Sequence, residues 1–314
     1  MKVLVVCSKN SGRVAPFIVE QAESLERMGI KIDYFTIEGK GLKGYLKNRK
    51  HLMDKINSFQ PQLIHAHYGL SGLLANTQRN ILVVTTYHGS DINSPKVYPF
   101  SRLCMMLSAH NIFVSEKNQN KANLTPGPSP LGEGRCALIP CGVDINLFVP
   151  MGKPEACKLL GLNAKEKYIL FAGAFHNTVK NAVLAKSAMA LLPDVHLIEL
   201  KGFTRQQVAV LMNAVNAVLM TSFTEGSPQF IKEAMACNCP IVSVPVGDVP
   251  DAIKDIDGCF ISTYKPNDVA EKLKQALEFE KRTEGRNRII ERGLDAETVA
   301  KRIMEVYTLV ISDK

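Results

Sequence analysis

The 314-residue chain has no tryptophan, and aromatic residues amount to only 7% of it. They are sparse around the one strongly basic stretch, and no helix-turn-helix, zinc or RNA-binding signature accompanies it, so a nucleic-acid partner is not expected. The eight cysteines, at positions 7, 104, 136, 141, 157, 237, 239 and 259, form no C-x-x-C pair and lie in or beside apolar stretches. That argues against a disulfide framework and against a zinc centre. No apolar run approaches the roughly 20 residues that span a bilayer, and Met1 leads straight into a strand-like segment with no cleavage site behind it, so a cytoplasmic protein is expected. The first loop, Ser8 to Gly12, holds a single glycine, and the G-x-G-x-x-G dinucleotide fingerprint of dehydrogenases is missing.

What is present suits two cores. Hydrophobic residues make up 46% of the chain, enough for two domains of about 150 residues each. Lys2 to Cys7 reads as a buried strand and Ala15 to Met28 as a helix, with Ala15, Ile18, Ala22 and Leu25 on one face and Gly29 at its end. His65-Ala66-His67-Tyr68-Gly69 and Thr86-Tyr87-His88-Gly89-Ser90-Asp91 each follow an apolar run. Both histidine groups therefore fall at carboxyl ends of strands, where open α/β sheets bind ligands. From Met151 a second series begins, with strands expected at 168–172, 195–200, 216–221, 241–244 and 259–261 alternating with helical patterns, one of them starting at Lys180. An amphipathic helix from Val299 to Ile311 closes the chain.

Charge is uneven. Residues 1–150 hold 17 Lys and Arg against 10 Asp and Glu, while residues 151–314 hold 21 against 20. The excess gathers in Lys40, Lys43, Lys47, Arg49, Lys50 and Lys55, with no acid between Glu38 and Asp54. Lys43, Lys47 and Lys50 fall on one helical face, with Leu42, Leu46, Met53 and Ile56 nearer the other. Such a helix suits an anionic membrane surface or a polyanionic acceptor, the alternative being an ordinary solvated face.

The segment Glu225-Gly226-Ser227-Pro228-Gln229-Phe230-Ile231-Lys232-Glu233 sets two carboxylates eight residues apart around a turn that opens a helix. Ser227 suits the N-cap and Pro228 the first helical position. The amides of Gln229, Phe230 and Ile231 then face outward with the positive end of the helix dipole, a ready site for a diphosphate. By itself the spacing of the two glutamates is weak evidence.

Together with Cys237-Asn238-Cys239-Pro240-Ile241-Val242 and Val246-Gly247-Asp248, this segment resembles the signature of glycosyltransferase family 4, and Ile139-Pro140-Cys141-Gly142-Val143-Asp144 resembles the family's segment before the inter-domain linker. The resemblance implies the GT-B fold, an α/β architecture of two Rossmann-like, doubly wound parallel-sheet domains facing across a cleft. Residues 1–150 would form the acceptor-side domain, 151–294 the nucleotide-sugar domain, and 295–314 a helix crossing back to the first. It further implies a retaining hexosyl transfer from a nucleoside diphosphate sugar to a saccharide or lipid-linked saccharide, in polysaccharide or glycolipid synthesis. No cofactor or metal is implied; the only Asp-x-Asp is Asp255-Ile256-Asp257, in a late loop. By the same resemblance Glu233 takes the ribose, Glu225 the donor sugar and Lys180 the diphosphate. His88 reaches the sugar from the first domain, and Gly12 and Gly173 belong to loops that approach the donor.

Departures from the family pattern are visible. Asn238 stands at a usual glycine, where it is expected to end the helix in a left-handed conformation. Ser227-Pro228 replaces phenylalanine-glycine, Asp248 replaces a second glycine, and Ala174 stands where the family has an arginine. With that cation gone, Arg13 or His176 compensates or the enzyme is slow or inactive. Two other readings stay open: a nucleotide-sugar 2-epimerase-like enzyme, and a non-catalytic nucleotide-sugar-binding partner in a glycosyltransferase complex. Residues 124–135, with three prolines and three glycines, are expected to be an exposed insertion.

Overall fold

The computed structural model describes residues 1–123 and 135–312; the Pro/Gly segment lies almost wholly outside them. The chain divides into two compact units, Met1–Gly142 with Ala296–Lys314, and Val143–Asp295. The first is built on six parallel strands, β1 (Lys2–Ser8), β2 (Lys31–Ile37), β3 (Leu63–His67), β4 (Val83–Tyr87), β5 (His110–Phe113) and β6 (Cys136–Leu138), in the order β2-β1-β3-β4-β5-β6. β3 and β4 are buried at every residue, as expected of central strands covered on both faces. In the opening helix, Pro16–Arg27, Ile18, Ala22 and Leu25 are buried and Ala15 is the cap residue.

The closing helix, Ala296–Ser312, belongs to this first unit. Its Val299, Ile303, Val306, Tyr307 and Val310 pack with Val3, Leu25, Leu63, Val84 and Ile112, each large aliphatic side chain contributing about 1.5–3 kcal/mol on burial. Gly142 permits the approach, because a β-carbon there would lie 2.7 Å from the Ala296 Cα.

The second unit carries five parallel strands, β7 (Lys167–Phe171), β8 (Val195–Glu199), β9 (Ala217–Met220), β10 (Ile241–Ser243) and β11 (Cys259–Ile261), in the order β11-β10-β9-β7-β8. The units divide at residue 142 rather than 150. Val143 and Phe148 are fully buried in the second core, and the Arg286 guanidinium donates to the carbonyls of Ile145 and Phe148, both at 2.8 Å. The segment 143–150 is thus packing, not linker.

One further expectation changes and one holds. The basic stretch forms two helices, Gly41–Leu46 and Arg49–Phe59. They break at Asn48, whose side-chain amide donates to the Gly44 and Glu38 carbonyls. Tyr45, Leu52 and Ile56 face the core, and Lys55 pairs with Asp33 at 2.5 Å. No continuous apolar face is left for insertion into lipid. At Asn238 the left-handed helix end is observed, with φ at +54°. Its Oδ1 also accepts from the Arg286 amide at 2.8 Å, a bond that glycine could not provide.

Candidate functional site

In the second unit the loop after β7 begins with Gly173, at φ +152°, where a β-carbon would lie 2.9 Å from Lys180 Cγ. The missing side chain lets the lysine stem cross the loop. Lys180 ends a single 3-10 turn, Thr178–Lys180, rather than opening a helix. Asn181, at φ +53°, then caps the helix Ala182–Met189 by accepting from the Leu184 amide. The Thr221 hydroxyl lies 2.9 Å from the Lys180 carbonyl and 3.0 Å from that of Asn181, tying this turn to the end of β9. So held, Lys180 Nζ meets Glu225 Oε1 at 2.7 Å, with side chains 23% and 17% exposed.

Glu233 lies one helix further on, its side chain 5% exposed, accepting from Arg205 Nη2 at 2.6 Å. The Arg205 guanidinium also sits 4.8 Å above the Phe148 ring. Arg205 opens the helix Arg205–Ala214 behind a capping box formed by Thr204 and Gln207. A buried carboxylate requires such a partner. Sequence reading missed this arginine, because its partner lies 28 residues away on another element.

The helix after Glu225 runs Gln229–Ala236 with Pro228, not Ser227, as its N-cap, and no side chain caps it. Pro228, at φ −70° and ψ 121°, is extended, so the helical path starts one residue later than expected. The Ile231 amide bends back to the Pro228 carbonyl at 3.2 Å, which removes it from the set of three expected to face a ligand. Beside this turn Gly247, at φ +60°, approaches so closely that a β-carbon would meet the Gly226 oxygen at 2.5 Å. Burial pushes the Asp248 carboxyl up, against the pull of the Lys232 ammonium.

The first unit gathers three histidines. His65 is fully buried between the Tyr307 hydroxyl at 2.6 Å and the Thr86 hydroxyl at 2.8 Å. Burial brings its imidazole down to about 3. It lowers that of His67 too, with the neighbouring His65 and His88 adding to the effect. These two are core residues rather than open to a ligand at the strand ends. His88 is half-buried between Phe17 and Tyr68, with ring centroids 4.8 and 4.6 Å away. Its Nε2 is 3.0 Å from His67 Nδ1 and its Nδ1 is 3.7 Å from Cys141 Sγ, so both ring nitrogens turn inward. The turn presenting it is pinned by Asp91, which accepts from the amides of Gly69, His88 and Gly89. Burial raises the Asp91 carboxyl to about 6 even so. Its place three residues after His88 is the signal that could have found it, since aspartates take back amides of their own turn. Gly12 is exposed with φ +90° and open space where a β-carbon would be, while Arg13 and His176 are exposed.

Two doubly wound parallel sheets, one ending in a buried-glutamate and lysine constellation and the other in a histidine turn, define a GT-B type protein. Profiles described as "Glycosyltransferase Family 4" and "Glycosyl transferases group 1" match residues 2–147 and 169–278 respectively. The chain belongs to the family 4, group 1 glycosyltransferases. Among curated proteins it is 24% identical over 269 residues to the D-inositol 3-phosphate glycosyltransferase of Mycolicibacterium gilvum, covering 71% of this chain and 60% of that protein. The corresponding protein of Mycobacterium marinum is 24% identical over 247 residues, covering 64% of this chain and 52% of the relative. The matched region thus spans between half and three fifths of these relatives. Solved structures share the fold: sucrose-phosphate synthase from Thermosynechococcus elongatus has a TM-score of 0.82 at 18% identity over 100% of both chains. Anabaena Alr3699/HepE, crystallised with UDP-glucose, has a TM-score of 0.69 at 16% identity over 98% of this chain and 99% of that one.

Proposed function

We propose that the protein is a retaining glycosyltransferase that moves a hexosyl group from a nucleoside diphosphate sugar to an acceptor hydroxyl. The observation that carries this reading is the half-buried Lys180–Glu225 pair at 2.7 Å, on the element that follows β9 and leads to Glu233. In the reaction the bond from the anomeric carbon to the diphosphate breaks, and a new one to the acceptor oxygen forms on the same face. The acceptor proton passes to the departing phosphate oxygen. Lys180 and the first-turn amides of the helix Gln229–Ala236 neutralise the charge that develops there, so no metal is part of the scheme. Glu233 receives the ribose hydroxyls through charge-assisted bonds. Glu225 holds the sugar once phosphate competes for its lysine, and His88 offers a nitrogen to the sugar after releasing one inward bond. A saccharide or lipid-linked acceptor fits a cytoplasmic enzyme at the inner membrane face, with Lys40, Lys43, Lys47, Arg49 and Lys50 exposed.

The test is a thermal-shift screen with UDP, GDP, ADP and their sugar conjugates. A ligand at 100 times its dissociation constant stabilises by about 2.7 kcal/mol, and the shift should vanish in Glu233→Ala. Glu225→Gln is expected to keep nucleotide binding and to slow transfer by about a hundredfold; unchanged transfer would remove Glu225 from the scheme. The engaged nitrogens of His88 and the alanine at 174 favour a second reading, a donor-binding partner protein. It predicts the same thermal shift with no transfer from any donor.

A further inference from the structure

Among the described phenylalanine and tyrosine side chains, Phe223 and Tyr264 are the exposed ones, at 62% and 42%. They lie together, with ring centroids 6.2 Å apart and planes within 10° of parallel. The two rings help line a pocket of about 540 Å³ with Asn181, Leu184, Ser187 and Pro266. Both are anchored. The Tyr264 hydroxyl donates to the Ser222 carbonyl at 3.0 Å, and the Phe223 amide donates to the Val179 carbonyl at 2.9 Å. A stacked aromatic pair with one ring tied by its hydroxyl costs little further ordering when a ligand arrives. No lining residue carries a charge, in a protein of net charge +8, so the occupant is neutral; a nucleotide or an anionic headgroup would find no counter-charge.

We infer that this pocket is a saccharide subsite, taking a pyranose unit of a neutral glycan against the Phe223 and Tyr264 rings. Pyranose rings present a face of C–H bonds, weakly positive and apolar, which suits the negative face of an aromatic ring. Their rim of hydroxyls matches the amide of Asn181 and the hydroxyl of Ser187. The pocket is continuous in sequence with the proposed transfer centre, since Asn181 follows Lys180 and Phe223 precedes Glu225 by two residues. It is nonetheless a separate site: neither Lys180 nor Glu225 lines it. Its role is to hold a glycan chain on the protein, and that role does not require the transferase reading.

Native affinity electrophoresis of the full chain tests this, using gels cast with dextran, glycogen, galactomannan or glucomannan. Retardation by at least one of them is expected, with the apparent dissociation constant rising about tenfold or more in Phe223→Ala and in Tyr264→Ala. Glu225→Gln should be retarded as the parent is, and both aromatic variants should keep the nucleotide-induced thermal shift, which separates this site from the donor site. No retardation in any gel, or equal retardation of parent and aromatic variants, would overturn the assignment. So would concentration-dependent self-association abolished by Phe223→Ala, which would give the surface to a second copy of the chain.

Discussion

Glu233 and Arg205 show why a single side chain in this protein can matter beyond its contacts with a ligand. The carboxylate is nearly buried and has its counter-charge at 2.6 Å, so Arg205→Ala leaves a charge with too little solvation. A loss of about 3 kcal/mol is expected, read as a lower denaturant midpoint, together with weaker nucleotide binding. Arg205→Lys should recover part of the stability. Full stability in the alanine variant would show that solvent replaces the guanidinium. His65 and His67 set a pH dependence. Unfolded histidine takes its proton near 6.5, while the folded chain resists until about 3 at His65. Stability is therefore complete above pH 6.5 and falls below it, by about 1.4 kcal/mol per pH unit per histidine. Asp91 acts oppositely: its carboxyl, raised from 3.8 to about 6, favours the folded state as pH falls through that interval and offsets one histidine. Urea titrations between pH 7.5 and 4 should show this fall, and a shallower one in His65→Gln. An identical slope in the variant would exclude His65 as a source.

At the scale of elements, the end of the helix Gln229–Ala236 shows which motif departures are built in. The Asn238 amide donates to the Met235 carbonyl and the Cys239 amide to that of Ala234, while the Asn238 side chain accepts from the Arg286 amide in the first turn of the helix Gly285–Glu291. Asn238→Ala carries both the left-handed penalty and the lost hydrogen bond and should cost about 2 kcal/mol; Asn238→Gly loses only the hydrogen bond and should cost less. Equal thermal midpoints for the parent and both variants would contradict this account. The left-handed asparagine was legible from the sequence because it follows a helical run where glycine is usual. Its second role was not, since Arg286 is 48 residues away. The same limit explains Ser227 and Lys180, whose neighbours along the chain suggested a cap and a helix start. What decides both is the fixed geometry of Pro228 and the hold of Thr221 on the 178–181 turn.

For the whole molecule, each unit has its own apolar core, and the basic excess lies in the first. Because the apolar faces of Gly41–Leu46 and Arg49–Phe59 are used up in that core, any membrane contact rests on charge alone, about 1 kcal/mol per exposed lysine or arginine near an anionic surface. Flotation with anionic vesicles should retain the protein at low salt and release it as salt screens the surface. Replacing Lys43, Lys47 and Lys50 by glutamate should abolish retention, and indifference to lipid charge would sink the idea. The sequence by itself determined the two-sheet architecture, the strands of the second unit, β1, β3 and β4 of the first and the family, because buried strands are continuous apolar runs and the motif residues are contiguous. Tertiary structure alone decided that residues 143–150 pack in the second core, that Arg205 guards Glu233, that the His88 nitrogens turn inward and that two distant aromatics stack at the surface. Those are contacts between residues far apart in the chain, and local pattern carries no record of which distant side chain folding brings alongside.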